Sequence, residues 1–244
     1  MTHPRQAPRA ATFTYGDYLT WPEGERWEII DGEAFDMTAA PALDHQELLA
    51  ELVTQFRTFL RGKPCRVFPD PDVILPRADE ADDQVRTVVR PDLVVVCDPT
   101  KMDGKRIRGG PDLAIEILSP STASHDCLRK RRLYEQAGVR EFWLVHPADR
   151  IVTVFHLGSD GTYGKPHYHD RESKVAVSVL PGLETDLSLL FPPLETVVRE
   201  SRREYLARQA AQTQPTPRPR ASPRARPRAR PRKKAAGRNP KRQA

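Results

Sequence analysis

The sequence predicts an α/β fold, and three observations carry that reading. Two apolar runs, Leu93-Val94-Val95-Val96-Cys97 and the stretch 113–118, lack the alternation of a half-exposed strand. Runs of this kind suit strands covered on both faces, as at the centre of an α/β sheet. Between 45 and 61, Leu48, Leu49, Leu52, Val53, Phe56, Phe59 and Leu60 recur at three- and four-residue spacing, the broad apolar stripe of an amphipathic helix. Trp27-Glu28-Ile29-Ile30 and Glu33-Ala34-Phe35 flank Asp31-Gly32, a strong hairpin signal because glycine tolerates the positive φ of a type I′ turn.

The remaining elements follow in chain order. Residues 1–11 form a polar, proline-rich leader, and 12–19 read as a short helix before the turn at Trp21-Pro22-Glu23-Gly24. Asp44 is the expected N-cap of the long helix, with Glu47 three residues on as in a capping box, and Gly62 closes it. Stretches 65–68 and 72–75 read as strands broken by Pro69 and Pro71, and 77–86 as a charged loop. A basic loop, 101–110, joins the two apolar strands, and Ser121 or Thr122 is placed to cap a helix ending near Ala137-Gly138. Strands are expected at 141–145, 151–157, 162–169 and 174–179, and a charged helix at 194–210.

Charge divides the chain. The net charge is +6, yet residues 213–244 hold twelve basic residues and no acid: Arg218, Arg220, Arg224, Arg226, Arg228, Arg230, Arg232, Lys233, Lys234, Arg238, Lys241 and Arg242. Without them 27 basic residues face 33 acidic ones, so an acidic body carries a +12 tail. With seven prolines and no bulky apolar residue, that tail cannot bury a core and is expected to be disordered. The expected organisation is a leader at 1–11, a domain at 12–212 and the tail at 213–244. No apolar stretch approaches the ~18 residues of a membrane span, and no secretory signal precedes the body. Cys65, Cys97 and Cys127 are an odd, scattered set that fits neither a disulfide framework nor a zinc pair, which implies a reducing, cytoplasmic compartment.

The chemistry is carried by acids in costly places. Glu116 interrupts a strand otherwise fit for burial, and a carboxylate taken from water needs a partner. Asp92, after Pro91, stands at the mouth of the other apolar run. Asp126, Lys130 and Tyr134 share one face of the next helix at i, i+4 and i+8. Each has a plain structural explanation by itself: a turn residue, a pair with the Arg129–Arg132 cluster, a solvated helix face. Taken in order, strand acid, strand acid and helix lysine suit two hard carboxylates holding Mg²⁺, or Mn²⁺, beside an ammonium that steadies phosphate charge.

Several blocks together resemble the bacterial Uma-two family of restriction endonuclease-like proteins: Trp27-Glu28-Ile29-Ile30-Asp31-Gly32-Glu33, His45-Gln46, Arg90-Pro91-Asp92 with the run after it, Pro111-Asp112 through Thr122, Asp126-x-x-x-Lys130-x-x-x-Tyr134 and 137–145. The resemblance spans 12–191 and implies the PD-(D/E)XK nuclease superfamily: a restriction endonuclease-like core with a central mixed sheet flanked by helices, plus extra hairpins. It implies Asp92 and Glu116 as metal ligands, with Mg or Mn as cofactor. The superfamily's lysine two residues after the second acid is replaced by Leu118, and Lys130 from the next helix takes its place. Glu28, Glu33, His45, Asp112 and Asp126 are further candidates, Asp112 being the weaker "PD" match.

The leading expectation is a metal-dependent endonuclease acting on nucleic acid, DNA above all. Its rival is a catalytically inactive nuclease fold that binds nucleic acid through the tail, since twelve cations would release many counterions. A third reading is a protein–protein module, with 194–210 as a homodimer contact. No separate base-reading motif stands in the chain.

Overall fold

The computed structural model describes residues 12–22, 24–37, 42–119, 126–193 and 206, with backbone alone at 126 and 127. The leader, the tail, the N-terminal cap of the helix after Ser119 and, except for Leu206, the expected helix at 194–210 lie outside these residues. The chain divides into two units, Met1–Leu194 and Glu195–Ala244, and every element below belongs to the first.

Helix α1 (Tyr15–Tyr18) is closed by a reciprocal Thr14–Asp17 capping box. Strands β1 (Trp27–Ile30) and β2 (Glu33–Asp36) pair antiparallel around Asp31 (φ 52) and Gly32 (φ 86), the two positive angles expected of the Asp-Gly turn. Helix α2 (Leu43–Leu60) begins two residues earlier than expected. Its N-cap is Ala42, with no side-chain cap bond; Asp44 sits in the first turn and accepts from the His45 N–H. The expected Asp44 cap is thus corrected, although an acid in the first turn still favours the helix dipole.

Strands β3 (Arg66–Pro69), β4 (Val73–Ile74), β5 (Val88–Val89), β6 (Leu93–Val96), β7 (Ile107–Arg108) and β8 (Leu113–Ile117) precede helix α3 (Asp126–Gln136). Then come β9 (Glu141–His146), β10 (Ile151–His156), β11 (His167–Asp170), β12 (Lys174–Ala176), β13 (Glu184–Asp186) and α4 (Leu187–Leu190). The strand expected over 162–169 is cut to β11, with Tyr163 making an isolated bridge to Leu157; glycines at 161 and 164 and Pro166 interrupt the ladder.

The central sheet has the order β11-β10-β9-β8-β6-β3. It is mixed: β8 and β9 run parallel, joined across α3, and its other neighbours are antiparallel. Parallel neighbours need such a crossover because a tight turn can only reverse the chain. A second sheet, β2-β1-β5-β4-β7, incorporates the hairpin, and β12 pairs with β13.

Side-chain alternation assigns the faces. Leu113, Ile115, Trp143 and Val145 join Leu48, Leu52, Phe56 and Leu60 of α2 in one core. Ala114, Phe142 and Leu144 join Leu133 and Tyr134 of α3, with Ile30, Val73 and Val89 from the second sheet, in another. Both faces of β8 are therefore covered, as its uninterrupted apolar run predicts. Phe56 meets Trp143 edge-on, at 6.1 Å between ring centroids. Truncating a fully buried phenylalanine to alanine removes about 3–5 kcal/mol.

The cysteine expectation is corrected. Cys65 and Cys97 form a disulfide across 32 residues. Antiparallel pairing of Arg66 with Val96 sets the two cysteines directly opposite, a register that spacing along the chain does not reveal. The argument from scattered cysteines to a reducing compartment loses its premise. Among the described residues no helix is long and apolar enough to cross a membrane.

Candidate active site

Strand register brings the two acids together. Leu93 pairs with Ile115, so one further antiparallel step sets Asp92 opposite Glu116. Pro91 has no N–H, which releases this end of the strand from the ladder and leaves Asp92 free to bond with its side chain. Asp92 Oδ2 accepts the Ile117 N–H at 2.6 Å, and Oδ1 lies 3.0 Å from His45 Nε2 at the start of α2. The hydrogen bond to Asp92 raises the His45 pKa above its ordinary value, although burial opposes it.

Glu116 turns toward α3 because alternation along β8 gives it the face of Ala114, opposite Ile115 and Ile117. One helical turn separates Lys130 from Tyr134, and both reach it. Tyr134 Oη donates to Glu116 Oε1 at 2.6 Å, and Lys130 Nζ donates to Oε2 at 3.2 Å. The ammonium also contacts Glu28 Oε1 at 2.8 Å. The Lys130 and Glu28 side chains are only 5% and 1% exposed, so these charges meet out of water.

Burial raises the Glu116 pKa to about 8; Lys130 pulls it down, while the Asp92 and Glu28 charges push it up. Burial likewise raises Tyr134 well above the usual phenol range, with the Glu116 charge adding to it. The phenol is thus held as a donor. The site sets carboxylates against one buried ammonium, and burying such charges unpaired would be costly.

The structure gathers Asp92, Glu116, Lys130, Glu28 and His45. It separates Glu33, which lies on β2 and pairs with Arg129 at 3.7 Å. It also separates Asp112: four strand positions from Glu116, it pairs with Arg140 at 2.5 Å and accepts the Cys97 N–H at 2.6 Å. The Asp126 side chain and the tail arginines and lysines lie outside the described residues. Two contributions escape sequence reading. One is the Tyr134 hydroxyl bond, whose signal was its place on the Lys130 face. The other is the Arg90 N–H, which donates to Glu28 at 2.8 Å and has no sequence signal.

Among the described residues no group of three or more His, Cys, Asp or Glu side chains is arranged to hold a metal. The fit to a divalent ion therefore rests on two carboxylates. That is adequate for Mg²⁺, which keeps most of its waters and takes one or two acidic ligands, and an all-oxygen pair suits it.

The chain matches the Uma2 (Uma-two) family model, described as "Putative restriction endonuclease", over residues 15–189. It is 27% identical over 155 residues to the uncharacterized protein slr1290 of Synechocystis sp., covering 60% of this chain and 75% of that one. Its fold is similar to the crystal structure of a putative nuclease of DUF820 from Anabaena variabilis, with a TM-score of 0.60 and 20% identity over 73% of this chain and 97% of that one.

Proposed function

The chain belongs to the Uma2 family, and from that premise we propose that it is a metal-dependent endonuclease hydrolysing phosphodiester bonds in DNA. One observation carries the proposal: Asp92 and Glu116 face each other from adjacent strands, and the Lys130 ammonium is 3.2 Å from Glu116. Asp92 and Glu116 would hold Mg²⁺ or Mn²⁺. Bound there, the ion supplies positive charge to the scissile phosphate and lowers the pKa of an attacking water.

The chain's own groups set the stage. Ile117 N–H and His45 fix the two oxygens of Asp92. Tyr134 pins Glu116 Oε1, which leaves Oε2 on the lysine side. Lys130 orients the nucleophilic water by hydrogen bonding and offsets charge developing on the phosphate oxygens. Because the ammonium is prepositioned in a water-poor site, little reorganisation is needed as charge develops.

The acidic body repels a polyanion, and the +12 tail at 213–244 supplies the opposite charge. We assign Arg218 through Lys234 of that tail to non-specific, salt-dependent retention of nucleic acid, which raises its concentration at the site.

The test is plasmid cleavage with Mg²⁺ or Mn²⁺ by the wild type and by Asp92→Ala, Glu116→Ala and Lys130→Ala. Cleavage by the wild type alone is expected; equal cleavage by all four sinks the assignment. Deleting 213–244 should weaken DNA binding and spare cleavage. DNA binding that vanishes with the tail, in a protein that never cuts, favours the purely binding reading instead.

A further inference from the structure

Glu28 is the most buried acid at the site, and it is held by the lysine and a backbone donor. Among the described residues, the Arg90 N–H and Lys130 Nζ converge on Oε1, each at 2.8 Å. Lys130 lies closer to Glu28 than to Glu116, where the separation is 3.2 Å. Glu28 also comes from the other sheet, where β1 is held to β5 through Ile29 and Val88. A cation seeking Oε1 would have to displace a buried ammonium and a backbone donor together.

The donor behind Glu28 is itself anchored. The Arg90 guanidinium bonds Asp72 Oδ1 at 2.9 Å and both carboxylate oxygens of Asp70, and it reaches the Tyr18 hydroxyl at 3.3 Å. Asp70 N–H in turn donates to the Asp92 carbonyl at 2.9 Å. Arg90 and Asp92 are two residues apart on one segment, so the backbone that aims Asp92 also fixes the acceptor of Lys130.

From this geometry we infer that Glu28 is a positioning residue that registers the Lys130 ammonium against Asp92 and Glu116, and is not a third metal ligand. The inference rests on Lys130 serving phosphodiester hydrolysis. Holding a charged donor within a few tenths of an ångström matters because misplaced preorganised charge loses most of its value in the transition state.

The experiment compares full-length wild type, Glu28→Gln, Lys130→Met and the double variant. The readouts are kcat and KM on a duplex oligonucleotide at saturating Mg²⁺, Mn²⁺ affinity by calorimetry, and melting temperature. Glu28→Gln is expected to lower kcat about 100-fold while KM and Mn²⁺ affinity stay within about twofold. Added to Lys130→Met, it should remove no further activity, because it acts only through the lysine. Losses that multiply in the double variant, or weakened Mn²⁺ binding rescued by excess metal, overturn the inference. If Glu28→Gln does not fold, the double variant, which removes both buried charges, still decides: residual activity equal to Lys130→Met supports the inference, and a further fall contradicts it. A wild type that never cuts defeats the nuclease reading separately. The positioning claim is then read from a crystal structure of Glu28→Gln: Lys130 Nζ withdrawn from Glu116 supports it, and an unchanged contact contradicts it.

Discussion

Glu116 and Glu141 are buried on neighbouring strands of one sheet, but on opposite faces and with opposite kinds of partner. Glu141 pairs in register with Leu113 and shares the α2 face with Trp143. It accepts from Trp143 Nε1 at 2.7 Å, from Val179 N–H at 3.1 Å and from the Ser178 hydroxyl. These neutral donors are fixed by the fold, and they satisfy both oxygens. Glu116, on the α3 face, meets a phenol and an ammonium while Asp92 and Glu28 repel it. A carboxylate saturated by neutral donors pins strands together. One that shares an ammonium with a second acid and opposes a third retains a charge demand that a divalent ion and a phosphate can meet.

The sharpest way to break this contrast is cleavage itself. Lys130→Met and Glu116→Gln should each lower the plasmid cleavage rate about 1,000-fold. Glu141→Gln should leave it within about twofold. A comparable loss in Glu141→Gln would erase the distinction. The disulfide, which ties β3 to β6, offers a control for global stability on the same sheet. Reducing Cys65–Cys97 should cost about 3–4 kcal/mol by urea denaturation, from the entropy of the loop it closes, with Mn²⁺ affinity unchanged. Denatured protein should titrate two fewer thiols before reduction than after it.

Stability then reverses the ranking of the two glutamates. Glu141→Ala removes the acceptor of the buried Trp143 Nε1–H and of the part-buried Val179 N–H, and should cost roughly 3 kcal/mol. Glu116→Gln removes a desolvated charge while Lys130 keeps Glu28, and should cost under about 1 kcal/mol. Tyr134→Phe deletes the 2.6 Å bond to Glu116. About 1 kcal/mol of stability and a roughly tenfold loss of cleavage rate are expected. A rate equal to wild type would show that the phenol only fills space.

The central strands and the Asp92–Glu116 pair of the candidate site were legible because each broke a local rule. Glu116 stands inside an apolar strand, and Asp92 follows the proline at the head of another. Lys130 and Tyr134 were legible as one helical face. What remained hidden depends on long-range register. Glu28 was a further candidate, but its contact with the Arg90 N–H follows only once β1 pairs with β5. Cys65 and Cys97 become partners only when β3 lies against β6. Glu141 at the head of its strand gave no sign of burial, since its donors arrive from residues 178 and 179. The Asp44 cap failed for a local reason: helix start signals tolerate a shift of one or two residues.

The most direct test of the site is anomalous diffraction from crystals of the full chain soaked in Mn²⁺. The expected result is a peak at coordination distance, about 2.1–2.2 Å, from carboxylate oxygens of both Asp92 and Glu116, with Lys130 Nζ beside it. A peak elsewhere, or none at saturating Mn²⁺ with both carboxylates in place, would contradict the account.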